Sequence, residues 1–600
     1  MDDLEEQSKL KGDHKIPFKI MFKRTMNYVK PEWKRFLFSF ILIIVNVAID
    51  IILPLFIGRI TDNLGMISND AYALTEKKKL FNQIIFFTIC YFGISVVNQV
   101  FLYIESMLLQ KAGQQIIYNL RVEVFTHIEN MSQNQFDEMP VGSLVTRVCT
   151  YTASVSDLFT NVLVNVLKNV LTIVGVYVAM IIISPMLALI LLGFVVVVFI
   201  TSFFFSKVVG KTFRNERRYI SDLNTYLNEN ISGMKIIQIF NQQKYKEEEF
   251  IVKNEALRKA RYKIVIAFGI YRPFITLLYV LAIAVTFAMG ITLHLGSGSI
   301  VNFYLYLSKF FNPIQNLADQ LNNIQKSFSA SERLFNLLDV APEVKDSPDA
   351  IEIDHIEGHI EFKHVWFAYK GENWILKDVS FEILPKQSCA FVGATGAGKT
   401  TILGLIVRNY EIQKGQILID GIDITKIKID SLRKAIGQML QDVFMFSGSV
   451  KTNITLNDDS ISDEKVMETC KYVNADSFIS KLPNGLNEEV IERGENFSQG
   501  QRQLLSFART VIHSPQILIL DEATANIDTE TEVLIQQSLE KIKSIGTMLV
   551  VAHRLSTIQK SDQIIVLQHG EIIERGTHQD LLKQKGYYYK LYQLQFEGRD

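Results

Sequence analysis

The chain has 600 residues, more than one ordinary domain holds. Its formal net charge of −1 removes any bulk argument for nucleic-acid binding. The mean hydropathy of +0.16 is high for a soluble chain, and the apolar runs crowd the first half. Its four cysteines, Cys90, Cys149, Cys389 and Cys470, lie far apart, without metal-ligand spacing or a disulfide framework.

In chain order, a charged N-terminal segment without a signal-peptide apolar core leads into six apolar runs of membrane-crossing length. These spans are expected at about 36–58, 84–104, 163–183, 186–205, 264–291 and 300–317. Lys19, Lys23, Arg24, Lys30, Lys34 and Arg35 precede the first span, which predicts a cytoplasmic N-terminus. An even number of spans then returns the chain to the cytoplasm. The Lys- and Arg-rich stretch between spans four and five agrees, while Lys77, Lys78 and Lys79 run against the rule.

Spans three and four are separated by little more than Ser184-Pro185, a tight outside hairpin. Between spans two and three, and between four and five, long polar helical patterns continue. Such helices cannot lie in lipid, so they predict paired cytoplasmic stalks with a turn at each tip. Within the spans the ionisable residues are Asp50, Glu105, Lys168, Arg272 and Lys309. Each is costly against lipid and is expected to face a cavity or a partner. Asp50 is the sharpest candidate for a substrate-path residue; the alternative is a structural hydrogen bond to a helix bearing Asn98 or Gln99.

The fold class expected is a multi-domain membrane protein: a six-helix transmembrane domain with long cytoplasmic extensions, then an α/β P-loop domain with a helical subdomain. Domain limits are expected at 1–30, 31–327, a linker at 328–357 containing Pro342 and Pro348, and 358–600. In the last part, QSCAFVGATGAGKTTILGLI reads strand, glycine loop, helix. Residues Gly393, Ala394, Thr395, Gly396, Ala397, Gly398, Lys399, Thr400 and Thr401 form the phosphate cradle. Glycines let successive amides curl around phosphates, and the helix adds its positive end. Lys399 should reach the β- and γ-phosphates and the Thr400 hydroxyl should ligate Mg²⁺. The apolar strand of PQILILDEATANID ends in Asp521, placed for the Mg²⁺ shell, and Glu522, placed to polarise an attacking water. A second strand, TMLVVAHRL, ends at His553, beside the γ-phosphate in such folds.

The order of P-loop, Gln441 in GQMLQDVFMF, FSQGQ, LILDE and AHR resembles the ATP-binding cassette. With six spans and long stalks upstream, nearly the whole chain from about Phe18 resembles an exporter-type ABC half-transporter. That resemblance implies ATP and Mg²⁺ as cofactors, an elbow helix before the first span, and ATP-driven alternating access. It makes Tyr369 the aromatic that stacks on adenine, Gln441 the sensor of Mg²⁺ and of the membrane domain, and His553 the switch histidine. It places Phe497, Ser498, Gln499, Gly500 and Gln501, with Asp528, against the nucleotide held by the opposite chain. Glu492 falls in the stretch that meets the coupling helices, expected near Arg147–Tyr151 and near Phe240–Lys244, where Thr150-Tyr151 replaces the usual Asn-Asp.

The family usually has Gly where this chain has Gln499. This resembles the subunit of heterodimeric bacterial multidrug exporters that keeps its catalytic Glu. The implied partners are therefore a second half-transporter (a heterodimer before a homodimer), membrane lipids and hydrophobic or amphipathic cargo, in a bacterial cytoplasmic membrane, with no nucleic acid. A homodimeric lipid flippase and an ATP-gated channel are the rival expectations.

Overall fold

The structure, a computed structural model, describes residues 16–68, 73–521, 529–551 and 558–596. The chain divides into two compact units. One comprises residues up to Glu129 together with Met139–Val340; the other comprises Asn130–Glu138 together with the chain from Ala341 onward.

The first unit is helical. Helix α1 (Phe18–Val29) precedes α2 (Trp33–Ser68) and α3 (Leu74–Glu129). The short α4 (Gln133–Asp137) belongs to the second unit. Then follow α5 (Val141–Ile183), α6 (Pro185–Ser232), α7 (Met234–Ile239), α8 (Gln243–Thr292) and α9 (Ser297–Asp339). Among the described residues, the stretch containing α2, and helices α3, α5, α6 and α8, are long and apolar enough to cross a membrane. The sixth expected span lies in α9. Its 43 residues are long enough, but Asn302, Lys309 and Asn312 dilute its apolar run. In lipid a helix is the one open-ended element that satisfies its own backbone, so apolar runs of this length fold as helices.

Helix lengths explain the stalks. The 56 residues of α3 rise about 84 Å at 1.5 Å each, against about 30 Å of hydrocarbon. The hairpin between α5 and α6 is set by Ser184, whose extended backbone (φ −156°, ψ 103°) breaks one helix. Pro185 opens the next, where a missing N–H costs nothing.

A polar seam joins α2 to α9. Asp62 Oδ1 accepts from the Gly298 amide (2.7 Å) and the Ser297 hydroxyl (3.3 Å), capping the start of α9. Asn302 lies against Gly58, and a Cβ on Gly58 would overlap its amide. Tyr306 donates to the Ile51 carbonyl (2.6 Å), about one turn before Pro54, which lies within the continuous helix. Lys309 Nζ donates to Asp50 (3.0 Å). Residues 298, 302, 306 and 309 share one face of α9, so a single stripe fastens the two antiparallel helices. Asp50 therefore pairs with Lys309, not with Asn98 or Gln99. Glu105 is buried and accepts from Asn46 Nδ2 (2.5 Å).

The second stalk turn falls at Phe240–Gln242, within the stretch expected for it, but the first differs from expectation. Arg147–Tyr151 is not a tip: it is a π-helical widening of α5 whose buried Arg147 donates to the Arg333 carbonyl on α9 (3.1 Å). Tyr151 accepts from Arg333 (3.0 Å). The chain turns earlier, at Asn130–Glu138, because Ser132 and Gln135 form a capping box that starts a new helix. The second turn includes α7, and Met234, Ile236, Ile239 and Phe240 are all exposed on it. Helix α9 runs on to Asp339, past the expected linker start at 328, and Arg24 of α1 holds that end through Asp339 (2.6 and 2.7 Å).

The second unit has two main sheets. One is antiparallel, in the order β2-β1-β4-β5: β1 (Ile360–Phe367), β2 (Leu376–Ile383), β4 (Lys414–Ile419) and β5 (Ile422–Asp423). The other runs β12-β11-β3-β10-β9-β6, with β3 (Ser388–Val392), β6 (Ile436–Met439), β9 (Ile517–Asp521), β10 (Thr547–Val551), β11 (Gln563–Gln568) and β12 (Glu571–Gly576). All its pairings are parallel except β11 with β12, and the short β7 (Gly448–Ser449) and β8 (Glu489–Val490) pair antiparallel in a separate ribbon. Strands β3, β9 and β10 are buried at every position. That is why they read as unbroken apolar runs rather than alternating ones.

Candidate nucleotide site

The motif residues come together because their strands end on one edge. Val551 of β10 is in register with Phe391 of β3 and with Asp521 of β9, and Met439 of β6 with Leu520 of β9. The chain leaving β3, β6 and β9 therefore delivers Gly393, Gln441 and Asp521 to the carboxyl edge of a parallel sheet, where open α/β sheets bind ligands. Glu522, Asp528 and His553 lie outside the described residues.

The loop after β3 leads into α10 (Lys399–Ile406). Gly398 has φ +99°, and a Cβ there would meet Leu376 Cδ2 at 2.7 Å, so both conformation and space require glycine. A Cβ on Gly393 would overlap the Leu567 carbonyl. Ala394, Thr395 and Gly396 are exposed, while Ala397 and Gly398 are buried beneath them. The Lys399 ammonium curls back into the loop and donates to the carbonyls of Gly393 (2.8 Å) and Ala394 (3.0 Å). Burial holds its pKa below the ordinary lysine value, partly opposed by the nearby Asp521 carboxylate. A cation held by two neutral carbonyls of a glycine loop is matched to a polyphosphate.

Thr400 is exposed at the start of α10, and Asp521 is 7% exposed. With the Gln441 amide oxygen they form a set of hard oxygen donors, and a carboxylate buried this deeply fits a cation. Residues of these types suit Mg²⁺.

Tyr369 follows β1 and is 40% exposed. Its hydroxyl shares a hydrogen bond with Thr401 (3.0 Å), which ties the ring to α10. Sequence reading missed what holds it. Gln413 bonds both the amide (2.9 Å) and the carbonyl (3.0 Å) of Ala368, and Tyr410 packs edge-on against the ring at 5.2 Å. Neither residue belongs to a motif, so no spacing signal marks them.

FSQGQ opens α11 (Gln499–Val511). Ser498 caps it and forms a capping box with Gln501: the Gln501 amide donates to the Ser498 hydroxyl (3.2 Å), and the Ser498 amide to Gln501 Oε1 (2.9 Å). Phe497 and Gly500 are buried. Gln499 stands at the first helical position with ordinary backbone, so glycine's freedom is not needed there. Together with Arg502 and Gln503 it lines a cavity of about 120 Å³ shared with Gln441, Asp442 and Val443 of the same chain. Arg502 donates to the Gly494 (3.1 Å) and Phe497 (3.3 Å) carbonyls and fixes the approach to the helix.

The family model of the ABC transporter transmembrane region matches residues 36–314, and that described as ABC transporter matches residues 376–525. A putative ABC transporter ATP-binding protein, exp8, of Streptococcus pneumoniae is 35% identical over 96% of this chain and 97% of its own. The chain belongs to the ABC transporters. YheH of Bacillus subtilis, called a probable multidrug resistance ABC transporter ATP-binding/permease protein, is 37% identical over 84% of this chain and 76% of its own. A bacterial Atm1-family ABC exporter solved with ATP bound superposes with a TM-score of 0.77 at 26% identity, covering 94% of this chain and 98% of that one. The transporter is thus an exporter-type half-transporter: an integral membrane protein that binds and hydrolyses ATP.

Proposed function

We propose that this transporter exports hydrophobic or amphipathic small molecules by ATP-driven alternating access, as one subunit of a heterodimer in a bacterial cytoplasmic membrane. The proposed topology has six spans, with the sixth in α9, and places the N-terminus and the ATP-binding unit in the cytoplasm. The observation that carries the reading is the shared sheet edge bearing Lys399, Asp521 and Gln441, in a chain whose other unit holds membrane-length helices.

In this reading Lys399 exchanges its two carbonyls for the β- and γ-phosphates, and Tyr369 stacks on adenine. Thr400, Gln441 and Asp521 would hold Mg²⁺, which neutralises phosphate charge when bound. Glu522 orients or activates the attacking water, and His553 stabilises charge at the γ-phosphate. Ser498 and the start of α11, with Asp528, close over the partner chain's ATP. The exposed apolar tip from Met234 to Phe240 gives a second reason for a dimer. Such a patch suits the apolar surface of Leu440, Phe444 and Phe446 on a partner subunit's cassette. Closing the cassettes biases a two-state membrane unit, in which Asp50 and Lys309, each about a third exposed, flank the cargo path.

Gln499 supports a heterodimer with one poorly hydrolysing site, because a long side chain replaces backbone approach to phosphate. The cavity it shares with Gln441 favours the second reading, a homodimer in which Gln499 folds back onto its own chain. ATPase turnover of this chain purified alone, with its mass recorded, separates the two. Brisk activity from a self-dimer supports the homodimer. A monomer, or an inactive dimer revived by a second half-transporter, supports the heterodimer.

A further inference from the structure

The cytoplasmic end of α6 carries basic residues in a pattern beyond what topology alone requires. Lys207, Lys211, Arg214 and Arg218 follow i, i+4, i+7, i+11. At about 100° per residue they lie within about 60° of one another, on one face of the helix. All four are exposed, and among the described residues none has an acidic partner in an ion pair.

The opposite face is fixed by contacts to α8. Phe205 stacks on Tyr271 (centroids 3.8 Å apart), Phe213 meets Phe268 edge-on (6.4 Å), and Glu216 pairs with Arg261 (3.0 Å). Measured from Lys207, these three residues fall at about 160°, 240° and 180°. The basic stripe therefore points away from α8. The one acid near that level, Glu216, is turned inward and already paired; the next on the basic face is Asp222, one turn beyond Arg218.

Followed toward the membrane, the same face becomes apolar and stays exposed. Leu189, Val196, Ile200, Phe203 and Phe204 lie within about 60° of the Lys207 direction, and each is at least 48% exposed. One helix face thus runs from bare apolar side chains into bare cations at the end of the span. Acyl chains suit the first part and an anionic headgroup the second, with the Lys stems reaching along the helix toward the interface.

We propose that this face of α6 is a binding surface for anionic phospholipid of the cytoplasmic leaflet, with the phosphate held by Lys207, Lys211 and Arg214 and the acyl chain along Val196, Ile200 and Phe203. The proposal rests on the topology above. Charge that served only to orient the chain would have no reason to keep to one face, or to continue an apolar stripe.

The test uses the assembled transporter in nanodiscs of phosphatidylcholine with about one-third phosphatidylglycerol, released into native mass spectrometry. The wild type should retain phosphatidylglycerol over phosphatidylcholine by at least about fivefold, the effect of about one basic residue at an anionic surface. Lys207→Gln/Lys211→Gln/Arg214→Gln should lose that preference, and Lys207→Arg/Lys211→Arg should keep it. No preference in the wild type, a comparison that needs no variant to fold, would overturn the proposal. So would an unchanged preference in the triple glutamine variant. ATP-driven movement of the retained phosphatidylglycerol to the other leaflet would make it cargo, not a resident lipid, and would also overturn it. Loss of ATPase activity with the preference intact would strike the exporter reading and leave the lipid surface standing.

Discussion

Two lysines, one buried in the ATP-binding unit and one about a third exposed in the membrane unit, show how differently a paired cation can be used. Lys399 has two neutral carbonyls for partners and a pKa pulled below the ordinary lysine value by burial. Lys309 has a full counter-charge, Asp50, at 3.0 Å across a helix seam. The first arrangement leaves the charge ready for an anion from outside; the second spends it on holding two helices together. Hydrogen bonds to charged groups contribute about 1.5–3 kcal/mol net, so either partner set matters, but to different properties.

The contrast can be tested from its most sensitive point outward. Glu522→Gln should lower ATP turnover by about 10²- to 10⁴-fold, the usual contribution of a positioned base, with ATP binding retained. Turnover by phosphate release and binding by a fluorescent nucleotide check both halves, and surviving hydrolysis would move the base elsewhere. Lys399→Ala should weaken ATP binding by about 10- to 100-fold, from the same about 1.5–3 kcal/mol. Its melting temperature should stay near wild type, because only neutral carbonyls are released. A large loss of stability with affinity unchanged would erase the distinction between the two lysines.

Asp50→Ala should do the reverse: unchanged ATP affinity, but a membrane unit weakened by about 2.5–3.5 kcal/mol, the cost of one unpaired charge at mid-span. Adding Lys309→Met should restore much of that loss. A thermal-unfolding cycle in detergent measures the coupling, and additive single effects would show the pair to be idle. The smallest effect expected is from Gln499→Gly. At a helix N-terminus it should cost less than about 1 kcal/mol. Turnover of the heterodimer should rise modestly if the side chain obstructs phosphate, and no change in turnover or nucleotide occupancy would favour the homodimer.

The P-loop was legible because its chemistry is local: strand, glycines, Lys399-Thr400 and helix are contiguous, and Gly398 is demanded by its own φ. The apolar lengths of α3, α5, α6 and α8 were legible for the same reason. The seam was not. Sequence singled out Asp50 and Lys309 separately, yet their pairing depends on α2 and α9 lying antiparallel in one register, which no window of residues displays. Gln413 and Tyr410 escaped notice likewise, since they act on Tyr369 across a sheet. The first stalk tip was misplaced because Arg147–Tyr151 is polar and reads as exposed, whereas its arginine is buried against a backbone carbonyl of α9.

The short helix Gln133–Asp137 also says something about the order in which the protein is made. Its partners within the second unit are the Ala341 carbonyl (2.8 Å from Gln135), Glu343 (3.0 Å from Asn134), Lys370 (2.8 Å from Glu138) and Tyr410 (3.3 Å from Asp137). All of these leave the ribosome some two hundred residues or more after the helix does. The early turn must therefore be kept open until the late domain arrives, and a cassette expressed from Ala341 onward would lack a piece of its own surface. Nascent chains of increasing length, probed at residues 133–137 for protection from solvent exchange, would show that piece becoming covered only after Tyr410 has emerged.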